Sequence, residues 1–290
     1  MKKVLFIINP FAGTDRIKAL TKAIDQHLDV KKYQYEITYT KYAKHATKLV
    51  EDAAENSFDI IIIVGGDGSI NEVIQSIYKT NPILGIIPKG SGNGLAKSLK
   101  IPFKNAKAIQ LINDLNIQEI EVGKVNEKLF ISSVGVGFDA VVTAAFQNHK
   151  RRGFFTYIYI ILKYIWTYKA KKWNFTIDGK SHQSQSFMLN IANGKYLGYS
   201  FQIAPKAKLN DGFFEVVNLK KHPILYTPII AIKAFTGKID KSRFVTIQKA
   251  KEISIYHPDL NKIQLDGESV SCANEIHIKM MPKKIKIISG

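Results

Sequence analysis

The sequence predicts two domains of different class: an N-terminal α/β domain layered around a three-layer parallel sheet, and a C-terminal, mostly antiparallel β-sandwich with helical insertions. Three observations predict it. The runs 4–8, 60–64 and 84–87 are apolar without alternation, as in strands covered on both faces. Helix-like stretches separate them, as crossovers between parallel strands require. After about residue 120 the chain turns to short β-patterned runs with two helical interruptions.

In order, 4–8 reads as a strand, 17–28 as a helix, 35–39 as a strand and 46–54 as a helix. The run 60–64 is β-branched throughout and reads as a central strand, followed by a helix at 70–78, a strand at 84–87 and a helix at 94–99. Beyond these come strands at 120–125, 129–136, 173–177, 186–192, 213–219, 244–247, 252–256 and 276–280, with helices at 156–168 and 224–235. The first domain spans 1–122 and the second 123–282; a final strand at about 283–290 returns to one or the other, the first among them.

Bulk composition narrows the function. A hydrophobic fraction of 46% with 23% charged residues belongs to a folded globular chain. Lys and Arg number 42 against 24 acidic residues, a formal net charge of +18, which favours anionic partners such as nucleotide phosphates or a membrane surface. The cations are scattered, with small clusters at Lys150-Arg151-Arg152, at Lys169, Lys171 and Lys172, and at Lys283, Lys284 and Lys286. Without a recognition-helix or RNA-binding motif, specific nucleic-acid binding is not expected. The single cysteine, Cys272, excludes an intramolecular disulfide and points to a reducing compartment. The apolar segment 154–168 is interrupted by Lys163 and falls short of the roughly 20 residues that span a bilayer. A cytoplasmic protein, peripheral at a membrane, is expected.

Chemistry concentrates in glycine turns. Gly65-Gly66-Asp67-Gly68-Ser69 follows the strand 60–64 and opens a helix, where main-chain N–H groups approach phosphate oxygens. Asp67 reads either as a metal or metal-water ligand beside the phosphates or as a helix cap. Pro88-Lys89-Gly90-Ser91-Gly92-Asn93-Gly94 follows the strand 84–87 in the same way, and Asn9-Pro10-Phe11-Ala12-Gly13 ends the first strand. Turns at the carboxyl ends of neighbouring parallel strands face one crevice. Leu95 stands where a dinucleotide motif has its third glycine and Ser91 where a Walker motif has its lysine, so the site is of another type. In the β region, Leu209-Asn210-Asp211-Gly212-Phe213 and Leu265-Asp266-Gly267-Glu268 are Asp-Gly turns, and the second pairs two carboxylates.

In order along the chain, these turns together with Thr40 and His45-Ala46, Gly135-Val136-Gly137-Phe138-Asp139, Asn193-Gly194-Lys195-Tyr196-Leu197-Gly198 and Ala204-Pro205 resemble the diacylglycerol kinase catalytic family, which includes bacterial lipid kinases and sphingosine and ceramide kinases. The resemblance implies a Rossmann-like nucleotide domain and a reaction in which ATP, with Mg²⁺, phosphorylates a hydroxyl of a membrane lipid at an anionic membrane surface. It implies an ATP site of Asn9, Pro10, Gly13, Thr40, Gly65, Gly66, Asp67, Gly68, Ser69, Asn71, Glu72, Gly90, Ser91, Gly92 and Asn93. Asp211 with the main-chain carbonyls of Lys208 and Phe213 resembles a metal-binding turn. Asp67, Asp266 and Glu268 resemble the catalytic carboxylates, and which of the last two is the base stays open. Many diacylglycerol-type members have Gly-Thr-x-Asn where this chain has Gly90-Ser91-Gly92-Asn93, a form closer to the sphingosine and ceramide branch, so the lipid stays open as well. Other readings are an NAD kinase or phosphofructokinase, which share Gly-Gly-Asp-Gly, and a non-catalytic lipid-binding regulator. Monomer and dimer both stand.

Overall fold

The computed structural model describes residues 1–10, 14–151 and 153–290; Gly13 of the expected ATP site, with its neighbours Phe11 and Ala12, and Arg152 of the first basic cluster lie outside them. Its contacts divide the chain into one unit of Met1–Ile120 with Lys283–Gly290, and a second of Glu121–Pro282.

The first unit runs β1 (Lys2–Ile8), α1 (Thr14–His27), β2 (Tyr33–Tyr39), α2 (His45–Glu55), β3 (Ile60–Gly65), α3 (Asp67–Thr80), β4 (Ile83–Pro88), α4 (Gly94–Ser98), α5 (Asn105–Asp114) and β5 (Ile117–Ile120). The second runs β6 (Gly123–Val125), β7 (Lys128–Phe130), β8 (Ser133–Gly137), α6 (Phe138–Gln147), α7 (Phe154–Ile165), β9 (Lys171–Ile177), β10 (Lys180–Ala192), β11 (Tyr196–Gly198), β12 (Phe201–Gln202), β13 (Phe214–Lys220), α8 (Thr227–Phe235), β14 (Val245–Ala250), β15 (Glu252–Tyr256), β16 (Lys262–Leu265), β17 (Glu268–Ser271) and β18 (Glu275–Met280). The last strand, β19 (Ile285–Ile288), rejoins the first unit.

The first sheet has the order β2-β1-β3-β4-β19-β5. Its pairings are parallel except at the edge, where β19 meets β5 antiparallel. Alternate residues of β1 and β3 point to opposite faces. Val4, Phe6, Ile8, Ile60, Ile62 and Val64 share a core with Leu20 and Ile24 of α1 and Ala108, Ile109 and Ile112 of α5. The intervening Ile7, Ile61 and Ile63 are as deeply buried, on the face where α2 and α3 pack together. The unbroken apolar runs therefore mark strands between two helical layers.

Every pairing within the main sheet of the second unit is antiparallel. The 13-residue β10 is shared between its layers: Lys180–Ser186 pair with β9, and Met188–Ala192 with β8. Trp173 and Phe175 of β9, Ile276 and Ile278 of β18, Val134 of β8 and Phe214 of β13 meet in one sandwich core.

Several elements differ from expectation. The run 120–125 is two strands in different units, β5 and β6, because the Glu121 N–H donates to the Leu209 carbonyl at 2.7 Å and so enters the second unit. The run 129–136 breaks into β7 and β8. Helix α6 was not foreseen, since its sequence FDAVVTAAFQ is mostly apolar and its polar residues, Asp139, Thr143 and Gln147, form only one narrow stripe. Nor was α5, whose N-cap is Lys104 with no side-chain cap.

Candidate active site

In the first unit the strand order reverses between β1 and β3, leaving a crevice beyond their carboxyl ends. A cavity of about 290 Å³ lies there, lined by Asn9 after β1, by Thr40, Tyr42 and Ala46 after β2, by Val64 of β3, and by Ser69 and Glu72 of α3. Four of the expected nucleotide residues, Asn9, Thr40, Ser69 and Glu72, thus share one space, and Pro10 adjoins Asn9. Glu72 also orders its surroundings: Oε1 accepts the Ala46 N–H at 2.9 Å, and its carbonyl accepts the Thr47 hydroxyl at 2.8 Å. A carboxylate at the start of α2 complements that helix's positive end.

The two glycine turns pack backbone to backbone. A Cβ on Gly90 would lie 2.5 Å from Gly66 Cα, and one on Gly66 would lie 2.8 Å from Gly90 Cα, so neither position admits a side chain without separating the turns. The Lys89 N–H donates to the Gly65 carbonyl at 2.8 Å and fixes the same contact. Gly68, Ser69, Asn71 and Glu72 all lie in α3, which begins at Asp67 rather than at the expected residue 70.

The Asp67 carboxylate is occupied structurally. It accepts the Gly94 N–H at 3.0 Å and the Leu95 N–H at 3.3 Å, capping the helix of the neighbouring turn instead of its own. Burial raises its pKa above the ordinary 3.8, against the opposing pull of the Gly94, Leu95 and Asn93 N–H groups and of Lys97. Its geometry is that of a positioning residue, with both oxygens engaged. Asn93, also expected at the nucleotide, is buried and closes its own turn: Oδ1 accepts from Gly90 N at 3.0 Å, and Nδ2 donates to Gly90 O at 2.6 Å. Ser91 is exposed at the tip, beside half-buried Gly92.

In the second unit β16 and β17 form a hairpin in which Leu265 pairs with Glu268. Asp266 and Gly267 occupy its two-residue turn with φ of 47° and 87°, the left-handed geometry that Asp-Gly favours. The two carboxylates have opposite surroundings. Asp266 is 3% exposed and accepts from the N–H groups of Ile131 (2.9 Å), Ser132 (2.7 Å) and Ser133 (2.9 Å). Glu268, two residues on, is exposed. The hairpin thereby holds segment 131–133, which Asn193 grips from the other side by donating Nδ2 to the Ile131 carbonyl at 2.8 Å. Gln147, at the end of α6, accepts the Ser269 N–H at 2.8 Å and steadies the strand that carries Glu268. Sequence reasoning missed Gln147; no motif marks it, since its role depends on a contact 122 residues away in the chain.

The Asp211 turn does not fit a metal as it stands. Asp211 Oδ1 accepts the Phe213 N–H at 3.2 Å, and Oδ2 holds the Lys249 ammonium at 2.6 Å. A divalent ion bound by Asp211 with the carbonyls of Lys208 and Phe213 would have to displace that ammonium. Among the described residues no group of three or more His, Cys, Asp or Glu side chains is arranged to hold a metal.

Known proteins share this organisation. Residues 3–125 match the family described as the diacylglycerol kinase catalytic domain, and residues 132–289 the YegS C-terminal NAD kinase beta sandwich-like domain. A diacylglycerol kinase of Bacillus subtilis is 27% identical over 98% of this chain and 98% of its own length. A diacylglycerol kinase of Staphylococcus epidermidis is 28% identical over 92% of this chain and 86% of its own. The crystal structure of a diacylglycerol kinase from Bacillus anthracis covers 100% of this chain and 97% of that one with a TM-score of 0.77 at 23% identity, which shows the common fold.

Proposed function

The chain belongs to the family that joins a diacylglycerol kinase catalytic domain to a YegS-type C-terminal domain, and on that premise we propose that it transfers the γ-phosphoryl group of ATP to a hydroxyl of a diacylglycerol-type membrane lipid. One observation carries the reading: the backbone contact of Gly66 with Gly90 brings two glycine turns together beside the cavity of Asn9, Thr40, Ser69 and Glu72. Phosphoryl transfer asks chiefly for positioning and charge compensation, and main-chain N–H groups at a helix start serve both. A magnesium ion carried by the nucleotide would offset phosphate charge, and the Asp211 turn, held by the Lys249 ammonium and the Phe213 N–H, would not be its ligand.

The lipid hydroxyl oxygen attacks the γ-phosphorus, the bond to ADP breaks, and Glu268 takes the hydroxyl proton. Glu268 is assigned this task because its side chain is exposed, whereas Asp266 is engaged by three N–H groups and holds the hairpin.

Radiolabelled ATP transfer, with diacylglycerol, sphingosine, ceramide and NAD⁺ offered side by side, tests the reading. Label in diacylglycerol is expected. Label in NAD⁺ alone would return the chain to its NAD kinase-like relatives, and label in a sphingoid would move the acceptor. Glu268→Gln should lose roughly 10²–10⁴-fold in kcat at unchanged Tm and ATP KM. Asp266→Asn should lose activity and Tm together, because an amide leaves buried N–H donors without acceptors at about 1–3 kcal/mol each. Near-normal turnover in Glu268→Gln would remove Glu268 as the base.

A further inference from the structure

Helix α6 has three faces. Phe138 and Val142 enter an apolar cluster with Met188 of β10. Asp139 and Gln147, on the polar stripe, bind the Asn190 amide and the Ser269 N–H. The third face carries Ala140, Val141, Ala144, Ala145 and, at the helix end, Asn148, spaced i, i+1, i+4, i+5 and i+8. Its apolar side chains are small, and the space beside them is a cavity of about 340 Å³. Trp173 of β9 and Leu260, both members of the sandwich core, also line it. So do Asn148, Asn261 and Lys262, which are exposed, so the cavity opens to solvent.

Two buried polar atoms of this lining, Trp173 Nε1 and the Tyr168 hydroxyl, have no hydrogen-bond partner among the described residues. Trp173 is 2% exposed, and its ring lies against His257 with centroids 4.8 Å apart. The Tyr168 hydroxyl sits over the start of α6, where a Cβ on Gly137 would lie 3.1 Å from it. Burial raises the Tyr168 pKa to about 12, so the hydroxyl keeps its proton. An indole N–H can only donate, so the partner it lacks is an acceptor. Buried donors are nearly always paired, and the cavity, roughly ten times a water's share of the liquid, is larger than one bridging water fills.

Charge narrows the acceptor. Lys171, two residues before Trp173, projects from the same face of β9 and lines the same space. Its counter-ion Asp259 stands 3.5 Å away with both side chains partly exposed, a pair of small worth. With Lys262 the lining holds two ammoniums against one carboxylate. His257 adds no charge at neutral pH, because burial and then Lys171 lower its pKa from the ordinary 6.5, against the weaker pull of Asp259.

We propose that this cavity binds a small organic carboxylate with an apolar body. The carboxylate accepts from Trp173 Nε1, the Tyr168 hydroxyl and the Lys171 ammonium, and the body lies along the alanine face of α6. A largely apolar cavity with a few polar groups is the usual form of a small-molecule site. None of these residues is assigned above to the nucleotide or to the proton transfer, so the site stands apart from the proposed reaction. Its binding is measured without nucleotide or lipid.

Phenylbutyrate serves as the probe in calorimetric titrations of the full-length protein, where it should bind saturably and raise Tm. Phenylbutanol keeps the body without the charge, and acetate the charge without the body; each should bind roughly ten-fold or more weakly. The chain has two tryptophans, so Trp166→Phe, at an exposed position, leaves Trp173 alone to report binding by its emission. Ala144→Leu fills the cavity and should weaken binding roughly ten-fold or more, and Lys171→Gln should weaken it several-fold. Asp259→Asn releases Lys171 and should tighten binding several-fold, a gain that damaged folding cannot produce. Absent saturable binding, or binding unaltered in Ala144→Leu, overturns the proposal. So does phenylbutanol bound as tightly as phenylbutyrate, which would leave an apolar pocket whose donors meet water only. Weaker binding in Asp259→Asn would equally contradict the role given to Lys171 and overturn the site as assigned.

Discussion

Asp139 is buried at the start of α6, with Asn190 Nδ2 donating to its Oδ2 at 2.8 Å. The fit is so close that a Cβ on Gly135 would lie 1.9 Å from the same oxygen, which explains the glycine there. Burial pushes the Asp139 pKa from 3.8 to about 6, with the Asn190 bond pulling the other way. Folding thus favours the protonated form, so this residue's stabilisation is complete below about pH 4 and is lost as pH rises through about 6. The rise corresponds to at most about 3 kcal/mol. Asp139→Asn should therefore track wild type at pH 4 and gain on it by up to that amount at pH 7, as read by urea melts; a pH-independent difference would contradict the assignment. Asp266 is as buried, yet it accepts from three main-chain N–H groups. The neighbours of a carboxylate, rather than the motif that contains it, decide its task.

The same device recurs among the hairpins. Asp178-Gly179 turns β9 into β10 with φ of 45° and 80°, and the Asp178 carboxylate accepts the Lys251 and Glu252 N–H groups, both at 2.9 Å. Asp266-Gly267 does likewise between β16 and β17. In each, glycine permits the turn while aspartate ties its tip to a distant segment, so a local signal yields a tertiary contact. The paired glycine turns of the first unit depend instead on closeness. Gly90 meets Gly66 Cα, and backbone cannot rotate aside as a side chain can. Gly90→Ala should destabilise by roughly 1–3 kcal/mol and raise the ATP KM. Ser91→Ala, at the exposed tip, should leave the melting temperature unchanged. Equal melts for the two variants would mean that the turns are not in contact.

At the scale of the molecule, the first unit is completed from the far end of the chain. β19 lies between β4 and β5, and its Ile285, Ile287 and Ile288 are at most 1% exposed. Removing 283–290 would forfeit three buried isoleucines, roughly 5 kcal/mol or more, which rivals the whole stability of a domain. Hydrogen exchange should then show lost protection in β1, β3 and β4 while β8, β10 and β13 stay protected. Retained protection in the first sheet would show that β19 is dispensable. Among the described residues no helix is long and apolar enough to cross a membrane.

The parallel sheet was legible because β3 is Ile-Ile-Ile-Ile-Val followed by glycine, a composition that fits only a strand covered on both faces. The glycine turns were legible because close approach of backbone to backbone leaves no other residue. The helix α6 and the polar start of β10 were not, since one is mostly apolar with only a narrow polar stripe and the other is held by its partner strand rather than by apolar residues of its own. By itself the sequence determined the two classes of domain, the turns that meet at the first sheet's crevice, and which carboxylates were available. Only the tertiary structure decided their tasks: Asp67 caps α4, Asp266 holds segment 131–133, and Asp211 faces an ammonium. The physical reason is that a strand's periodicity and a turn's backbone are set by near neighbours in sequence, whereas a carboxylate's function depends on which donors distant segments bring to it.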